Sequence, residues 1–299
     1  MASGVRSTSA QDLSVQLPIA ADTTLFELDP DFNFGGQRDL PAGTLGPMGE
    51  RLRSRLLFRV DVVDGLPSGA QIVAARLLTE VTMVPVGRTN STFALHRILV
   101  PWEEGDKRTV DNPGGDDATE GESTWAQRLH PNMPWSEPGG EFGTDYAESV
   151  SAVRVISGVG TYNFPFNELG LADLSSMVRQ PESNHGWVLV TQSEDGSKTA
   201  RRFAAKEHRT TPPMLEIEYT LPLVTVPTLE VLRVEDEVVI RFRAIKDQPY
   251  LVQSTTDLKD ENWQDEEIIE RSVGGIAEFR NKLNETGQFF RIVIITIPR

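Results

Sequence analysis

The sequence predicts an all-β protein with two folded parts, and three observations carry that prediction. Short apolar runs alternate with polar residues along most of the chain, the period of a strand with one buried face. Gly (24 residues) and Pro (19 residues) fall between these runs, where turns are needed. Helical periodicity is confined to Leu169–Arg179, which Pro181 terminates. At 299 residues the chain can bury one large or two medium cores.

The stretch from Arg53 to Val81 organises the first part. Arg55–Val62 reads as a strand with Leu56, Phe58, Val60 and Val62 on one face. Leu66-Pro67-Ser68-Gly69-Ala70 is a turn, because Pro fixes φ and Gly permits a sharp reversal. Ile72–Leu78 resumes as a second strand whose alanines let two sheets approach closely. Together they form the heart of a β-sandwich.

Upstream, residues 1–16 are small and polar and read as a disordered tail, a tag or the end of a trimmed leader, with no hydrophobic signal core. Val15–Ala20 alternates like an edge strand. Such a strand lies along its own domain in the favoured reading, and is donated to a neighbouring copy in the alternative. Ala21–Glu27 is a strand and Asn33–Gly36 a turn. Asp22, Asp29 and Asp31 offer oxygen ligands for a structural Ca²⁺, but their spacing matches no EF-hand, so turn-forming acids are favoured.

Downstream, Phe93–Leu99 alternates and ends at Pro101-Trp102-Glu103-Glu104-Gly105. The longest irregular stretch follows, Asp106–Ala147, and loops of that length inside a compact domain tend to be functional. Trp125 and Trp135 there are candidate stacking platforms for sugar rings, or plugs for the sandwich end; Trp102 reads as a plug. Thr161–Phe166, Asn184–Thr191, Thr199–Glu207 and Met214–Tyr219 supply the remaining strands.

The balance of 44 Asp and Glu against 29 Lys and Arg gives a net charge of −15, which argues against nucleic acid as a partner. No apolar run approaches a membrane span. The absence of cysteine excludes disulfides, thiolate metal sites and a Cys nucleophile. The four histidines, His96, His130, His185 and His208, show no zinc spacing, and neither a nucleophile elbow nor a phosphate loop is present. Glu103-Glu104 lacks the geometry of a glycosidase pair, since adjacent acids on a strand point to opposite sides. A lyase-like set of Arg128, His130 and Tyr146 is no more than a long loop supplies by chance. A non-catalytic protein is therefore expected.

The basic residues are the binding candidates. Arg51, Arg53 and Arg55 alternate and share a face if the strand begins early. Arg201, Arg202, Lys206, His208 and Arg209 form the densest basic cluster. Arginine pairs bidentately with carboxylates, so uronic acids are the apt ligand. The competing reading is internal, with these arginines neutralising the chain's own acids.

In order, Ala21-Asp22-Thr23-Thr24, Arg53–Asp61, Leu66–Ala70, Val100–Gly105, Thr124-Trp125, Trp135–Phe142, Asn184–Trp187, Phe203–Glu207 and Pro213–Leu215 resemble the DNRLRE-domain family, grouped with carbohydrate-binding module family 96. The chain differs from the family pattern at Ala205-Lys206, where Ser-Arg precedes the Glu. The resemblance spans Ala21–Tyr219. It implies a secreted, non-catalytic, jelly-roll-like β-sandwich that binds acidic polysaccharide of the alginate type through basic residues.

Leu221–Pro227 is a Pro-punctuated linker. Beyond it, Tyr250–Leu258 with Trp263 and Phe289-Phe290-Arg291 resembles a small fibronectin type III-like β-sandwich, a spacer or docking module in bacterial surface proteins. Val293-Ile294-Ile295 is apolar enough to join a partner's sheet. The expected organisation is a tail (1–20), a DNRLRE-like sandwich (21–221), a linker (222–227) and a fibronectin type III-like sandwich (228–299). The expected function is binding of acidic polysaccharide outside the cell or at its surface, with no cofactor beyond a possible structural Ca²⁺. The alternative is a subunit of an extracellular filament or surface assembly, self-associating through its N-terminal tail. A polysaccharide lyase or hydrolase is a third and weaker reading.

Overall fold

The computed structural model describes residues 12–67, 69–110, 114–220, 229–244, 249–258, 263–269, 275–282 and 288–294. Residues 1–11 of the tail, Ser68 of the central turn, residues 111–113 of the long loop, Leu221–Pro227 of the linker and Ile295 lie outside them. The protein is all-β and forms two compact units, 1–223 and 224–299.

The first unit contains β1 (Asp12–Pro18), β2 (Ala21–Phe26), β3 (Phe32–Asn33), β4 (Asp39–Thr44), β5 (Arg53–Arg59), β6 (Gln71–Met83) and β7 (Ser91–Ile98). After them come β8 (Asp116–Asp117), β9 (Gln127–Leu129), β10 (Met133–Pro134), β11 (Tyr146–Ile156) and β12 (Gly160–Pro165). Helix α1 (Glu168–Arg179), β13 (Trp187–Thr191), β14 (Arg201–Ala204) and β15 (Met214–Thr220) complete it.

Two antiparallel layers face each other. One runs β1-β15-β6-β14-β4 with β12 also on β6; the other runs β4-β5-β13-β7-β11 with β2 also on β5. Strand β4 belongs to both. Asp39–Ala42 pair with β14, and Gly43 and Thr44 then pair with Ser54 and Arg53 of β5. Gly43 makes that corner at φ 113, a conformation that penalises any Cβ.

The central strands behave as their alternation predicts. Leu56 and Phe58 of β5, with Val60 and Val62 beyond its end, enter the core between the layers. Ala75, Leu77 and Val81 of β6 meet them from the other side. A register shift near Val73 turns Ile72 inward as well. Phe93 of β7 and Phe203 of β14 touch edge to face at 5.6 Å across the layers.

Helix α1 begins one residue before the predicted segment. Asn167 caps it, its Oδ1 accepting the Gly170 N–H at 2.9 Å. Leu174 and Met177 bury the apolar stripe, and Gly170 lets the helix close on Ser151, whose carbonyl would sit 2.5 Å from any Cβ there.

Strand β1 pairs with β15 along its whole length, from Asp12 opposite Thr220 to Pro18 opposite Met214. This part of the tail therefore lies along its own domain, as favoured, and is an end strand of its layer among the described residues.

The second unit holds β16 (Glu230–Val234), β17 (Glu237–Ala244), β18 (Tyr250–Thr255), β19 (Gln264–Ile269), β20 (Gly275–Lys282) and β21 (Phe289–Ile294). They form two three-stranded sheets, β16-β17-β20 and β19-β18-β21. Val238, Ile240 and Phe279 of the first face Val252 of the second, giving a small sandwich core.

Candidate functional site

The outer face of the β5 layer is where the sequence placed its first arginines and tryptophans, and it is closed. Leu25, Leu57, Ile98 and Val188 point outward from the strands, and the long loop folds back over them with Trp102, Trp125, Trp135 and Tyr146. This makes a second core. Trp125 and Trp135 are each 3% exposed, so neither offers a ring face to a sugar; both plug the structure. The Trp102 indole donates to the His185 carbonyl at 2.7 Å and the Trp135 indole to Thr124 O at 2.9 Å.

The arginines of β5 fasten this lid. Arg53 and Arg55 share a face as predicted, and both stand over the Trp125 ring, at 5.1 and 5.7 Å. Arg59 stands over Trp102 at 5.5 Å. Arg51 has left the strand, at φ 61, and does not share their face. Arg53 binds Glu27 through Nε and Nη2 at 2.9 and 2.7 Å. Arg55, almost fully buried, binds Glu194 in the same bidentate way and donates through Nη1 to the Gly139 and Gly140 carbonyls. The internal reading holds for both.

Two residues complete the fastening: Asn33, which the sequence marks only as the start of a turn, and Asp145, which it does not single out. Asn33 makes four hydrogen bonds, donating to Glu104 O and Ser123 O and accepting from the Gly35 and Lys107 N–H groups. Asp145 is buried and accepts the N–H groups of Ser136 and Glu141, both at 2.9 Å. Asx side chains in long loops are the only sequence signal either gave.

The predicted basic cluster does not stay together. Lys206 lies at the Asp39 end of β4, bridging Glu104 and Glu207 at 3.2 and 2.8 Å. Its own N–H donates to Asp22 Oδ2 at 2.8 Å. Burial raises the Asp22 carboxyl well above the usual carboxylate range and raises Glu104 as well. His208 accepts the Thr211 N–H through Nδ1, and Arg209 is solvent-exposed beside it. Asp29 and Asp31 belong to the turn after β2, where Asp29 O accepts the Phe32 N–H. Among the described residues, no three His, Asp or Glu side chains gather in a metal-holding group, so Asp22, Asp29 and Asp31 do not form the Ca²⁺ set considered above.

Arg201 sits at the opposite end of β14 and is 1% exposed. Among the described residues no carboxylate pairs with it. Its nitrogens donate to the carbonyls of Lys198, Thr199, Ala200, Thr89 and Ile156, at 2.8–3.4 Å. Burial lowers its pKa from the ordinary guanidinium value. Five carbonyl dipoles solvate the charge, and three loops are tied together by it.

Those loops make one end of the sandwich. Lys198 N donates to Leu45 O and Thr89 N to Lys198 O, at 3.2 and 3.0 Å. A Cβ on Gly46 or Gly87 would lie against the Lys198 side chain, so its ammonium rests between the 45–52 and 84–89 turns. Arg88 reaches the 156–160 turn through the Ser157 carbonyl. Arg51 closes the 45–52 turn, its N–H bonded to Gly46 O. Among the described residues, Arg51, Arg88 and Lys198 have no carboxylate within ion-pair distance, unlike Arg53, Arg55 and Lys206. Arg202 lines the same end, half-buried. The sequence singles out Arg51, Arg201 and Arg202, but not Arg88 and Lys198. Each of these follows a glycine turn, Gly87-Arg88 and Gly196-Ser197-Lys198.

At the same end, lined in part by Arg201 and Arg202, lies a largely apolar cavity of about 160 Å³. A second cavity, about 190 Å³, sits between the lid and β7 and β13. Glu194 lines it, and His96, whose pKa burial holds below the ordinary value, supplies no fixed cation. It has the wrong sign for an acidic ligand. No protein-family model matches the chain, and no curated protein matches it.

Proposed function

We propose that the chain is a non-catalytic carbohydrate-binding protein of the cell exterior, recognising acidic polysaccharide at the loop end of its first unit. One observation carries the reading. In a chain of net charge −15, three cations without carboxylate partners among the described residues, Arg51, Arg88 and Lys198, sit on neighbouring loops; the buried Arg201 ties those of Arg88 and Lys198, and Lys198 N binds Leu45 O of the turn bearing Arg51. Unpaired cations on a rigid frame meet carboxylates without first breaking internal ion pairs. The resemblance to the DNRLRE family supplies the ligand class. Arg53, Arg55, Trp125 and Trp135 enter as the frame rather than as contacts.

Affinity electrophoresis tests this reading. Retardation in alginate or pectin gels that weakens with salt, with free migration in neutral glucan, is the expected pattern. Unretarded migration in every gel overturns it.

A second reading has its own observation. The end strands β1 and β21 leave an edge without a partner strand among the described residues, which suits a subunit of an extracellular assembly. Concentration-dependent polymers in electron micrographs, lost on removal of residues 1–18, support that role. A monomer at all concentrations removes it.

A further inference from the structure

The loop end combines charge with apolar surface in a way that a bare uronic-acid polymer does not explain. The cavity at this end is walled by Phe26, Pro41, Leu45, Met83, Val84 and Pro85, with Arg201 and Arg202 on one side. Around it the turns raise apolar side chains into solvent: Met48 and Val86 are essentially fully exposed, and Met83 and Val159 more than half. Lys198 lies between the turns bearing Met48 and Val86, and Arg88 contacts the turn bearing Val159. Cations and methyl groups therefore interleave over one continuous end of the sandwich. Clustered exposed apolar side chains mark an interaction surface.

We propose that this end recognises acyl groups carried by an acidic polysaccharide, with O-acetylated uronan as the ligand class. The inference rests on the acidic-polysaccharide reading above and specifies its ligand. A sugar hydroxyl entering the cavity loses its water and finds no donor or acceptor among the six apolar walls. An acetyl ester removes the hydroxyl donor and presents a methyl group that these walls can desolvate, while its carbonyl oxygen stays in water at the mouth of the cavity. The neighbouring uronate carboxylates remain charged and fall to Arg88, Lys198 and Arg51. Further acetyl groups along the polymer meet Met48, Val86 and Val159.

The test uses one alginate preparation in two forms, O-acetylated and saponified, titrated against the full chain. The acetylated form is expected to bind about five- to tenfold more tightly, the size of burying one to two methyl-sized groups per site. Met83→Thr/Val86→Ser should abolish that difference while leaving affinity for the saponified polymer unchanged. Both positions are more than half exposed, so the variant should melt like the parent; if it does not, Val86→Ser alone, outside any strand, should narrow the difference without closing it. Equal affinity for the two polymers overturns the acyl inference and leaves the acidic reading standing. Binding to neither overturns both. Capture by anionic phospholipid vesicles, without preference between the polymers, assigns the apolar turns to a lipid surface and also overturns the inference.

Discussion

Arg55 holds Glu194 through two hydrogen bonds, of 2.8 and 2.7 Å, while its remaining nitrogen grips the loop at Gly139 and Gly140. One side chain thus joins β5, the turn after β13 and the lid over the second core. Removing its acidic partner leaves a buried cation with half its bonds. Glu194→Ala is expected to destabilise the first unit by about 3 kcal/mol, with protease cleavage appearing in the 99–145 loop. A melting midpoint within a degree of the parent's contradicts this role.

The tryptophans give a second expectation. Trp102, Trp125, Trp135 and Trp187 are buried and Trp263 is half-buried with Arg291 over its ring at 4.2 Å. Polysaccharide should therefore leave tryptophan emission and its quenching by iodide unchanged at saturating ligand. Strong protection from iodide on binding would return Trp125 or Trp135 to the contact surface.

Asp22 makes stability depend on pH in the direction opposite to an ion-paired acid. Burial raises its folded pKa, so the folded state binds the proton more tightly than the unfolded chain does. Its contribution is largest at or below the ordinary carboxylate range and declines as pH rises through the higher folded value. Asp22→Asn keeps an oxygen for the Lys206 N–H and should flatten that decline. Asp22→Ala removes the acceptor and should lower stability at every pH. Glu27 works the other way: its hydrogen bonds from Arg53 hold it low, so its contribution is present above the unfolded pKa and lost as pH falls through the folded one. Denaturant midpoints from pH 2 to pH 9 separate the two, and an unchanged slope in Asp22→Asn removes Asp22 as the cause.

The shared strand β4 depends on Gly43. At φ 113, a Cβ would lie 2.8 Å from both Ala200 Cα and Thr199 O. Gly43→Ala is expected to cost at least about 2 kcal/mol, strain plus a backbone clash. Gly121, at φ 92, has nothing within 4 Å of where a Cβ would stand, so Gly121→Ala should cost only about 1 kcal/mol. Equal losses in thermal melts argue that the corner is not where the layers join.

The inward face of the fold was legible because Leu56, Phe58, Val60 and Val62 keep a strict period of two, and a buried face cannot slip by one residue. The other face of the same strand was not. Arg51, Arg53 and Arg55 at alternate positions read equally as a ligand-binding face or as internal partners of the chain's own acids, and the loop that covers Arg55 is fixed by contacts more than eighty residues away. The Trp residues were ambiguous for the same reason, since an aromatic in a Gly-rich loop serves a ligand or a core equally well. Arg201 through Arg209 looked like one patch because proximity in sequence is not proximity in space: β14 carries Arg201 to one end of the sandwich and Lys206 to the other. Arg88 and Lys198 escaped notice as single cations in short turns, and only the folded loops bring them together.

The most direct test of the binding site compares the two ends of the sandwich in an alginate gel. Arg51→Ala/Arg88→Ala/Lys198→Ala alters the loop end, and His208→Ala/Arg209→Ala the opposite one; a melting curve for each confirms folding. The account predicts that the first variant migrates in alginate as it does in neutral glucan while the second is retarded like the parent. Parental retardation of the first variant, or its loss only in the second, contradicts it.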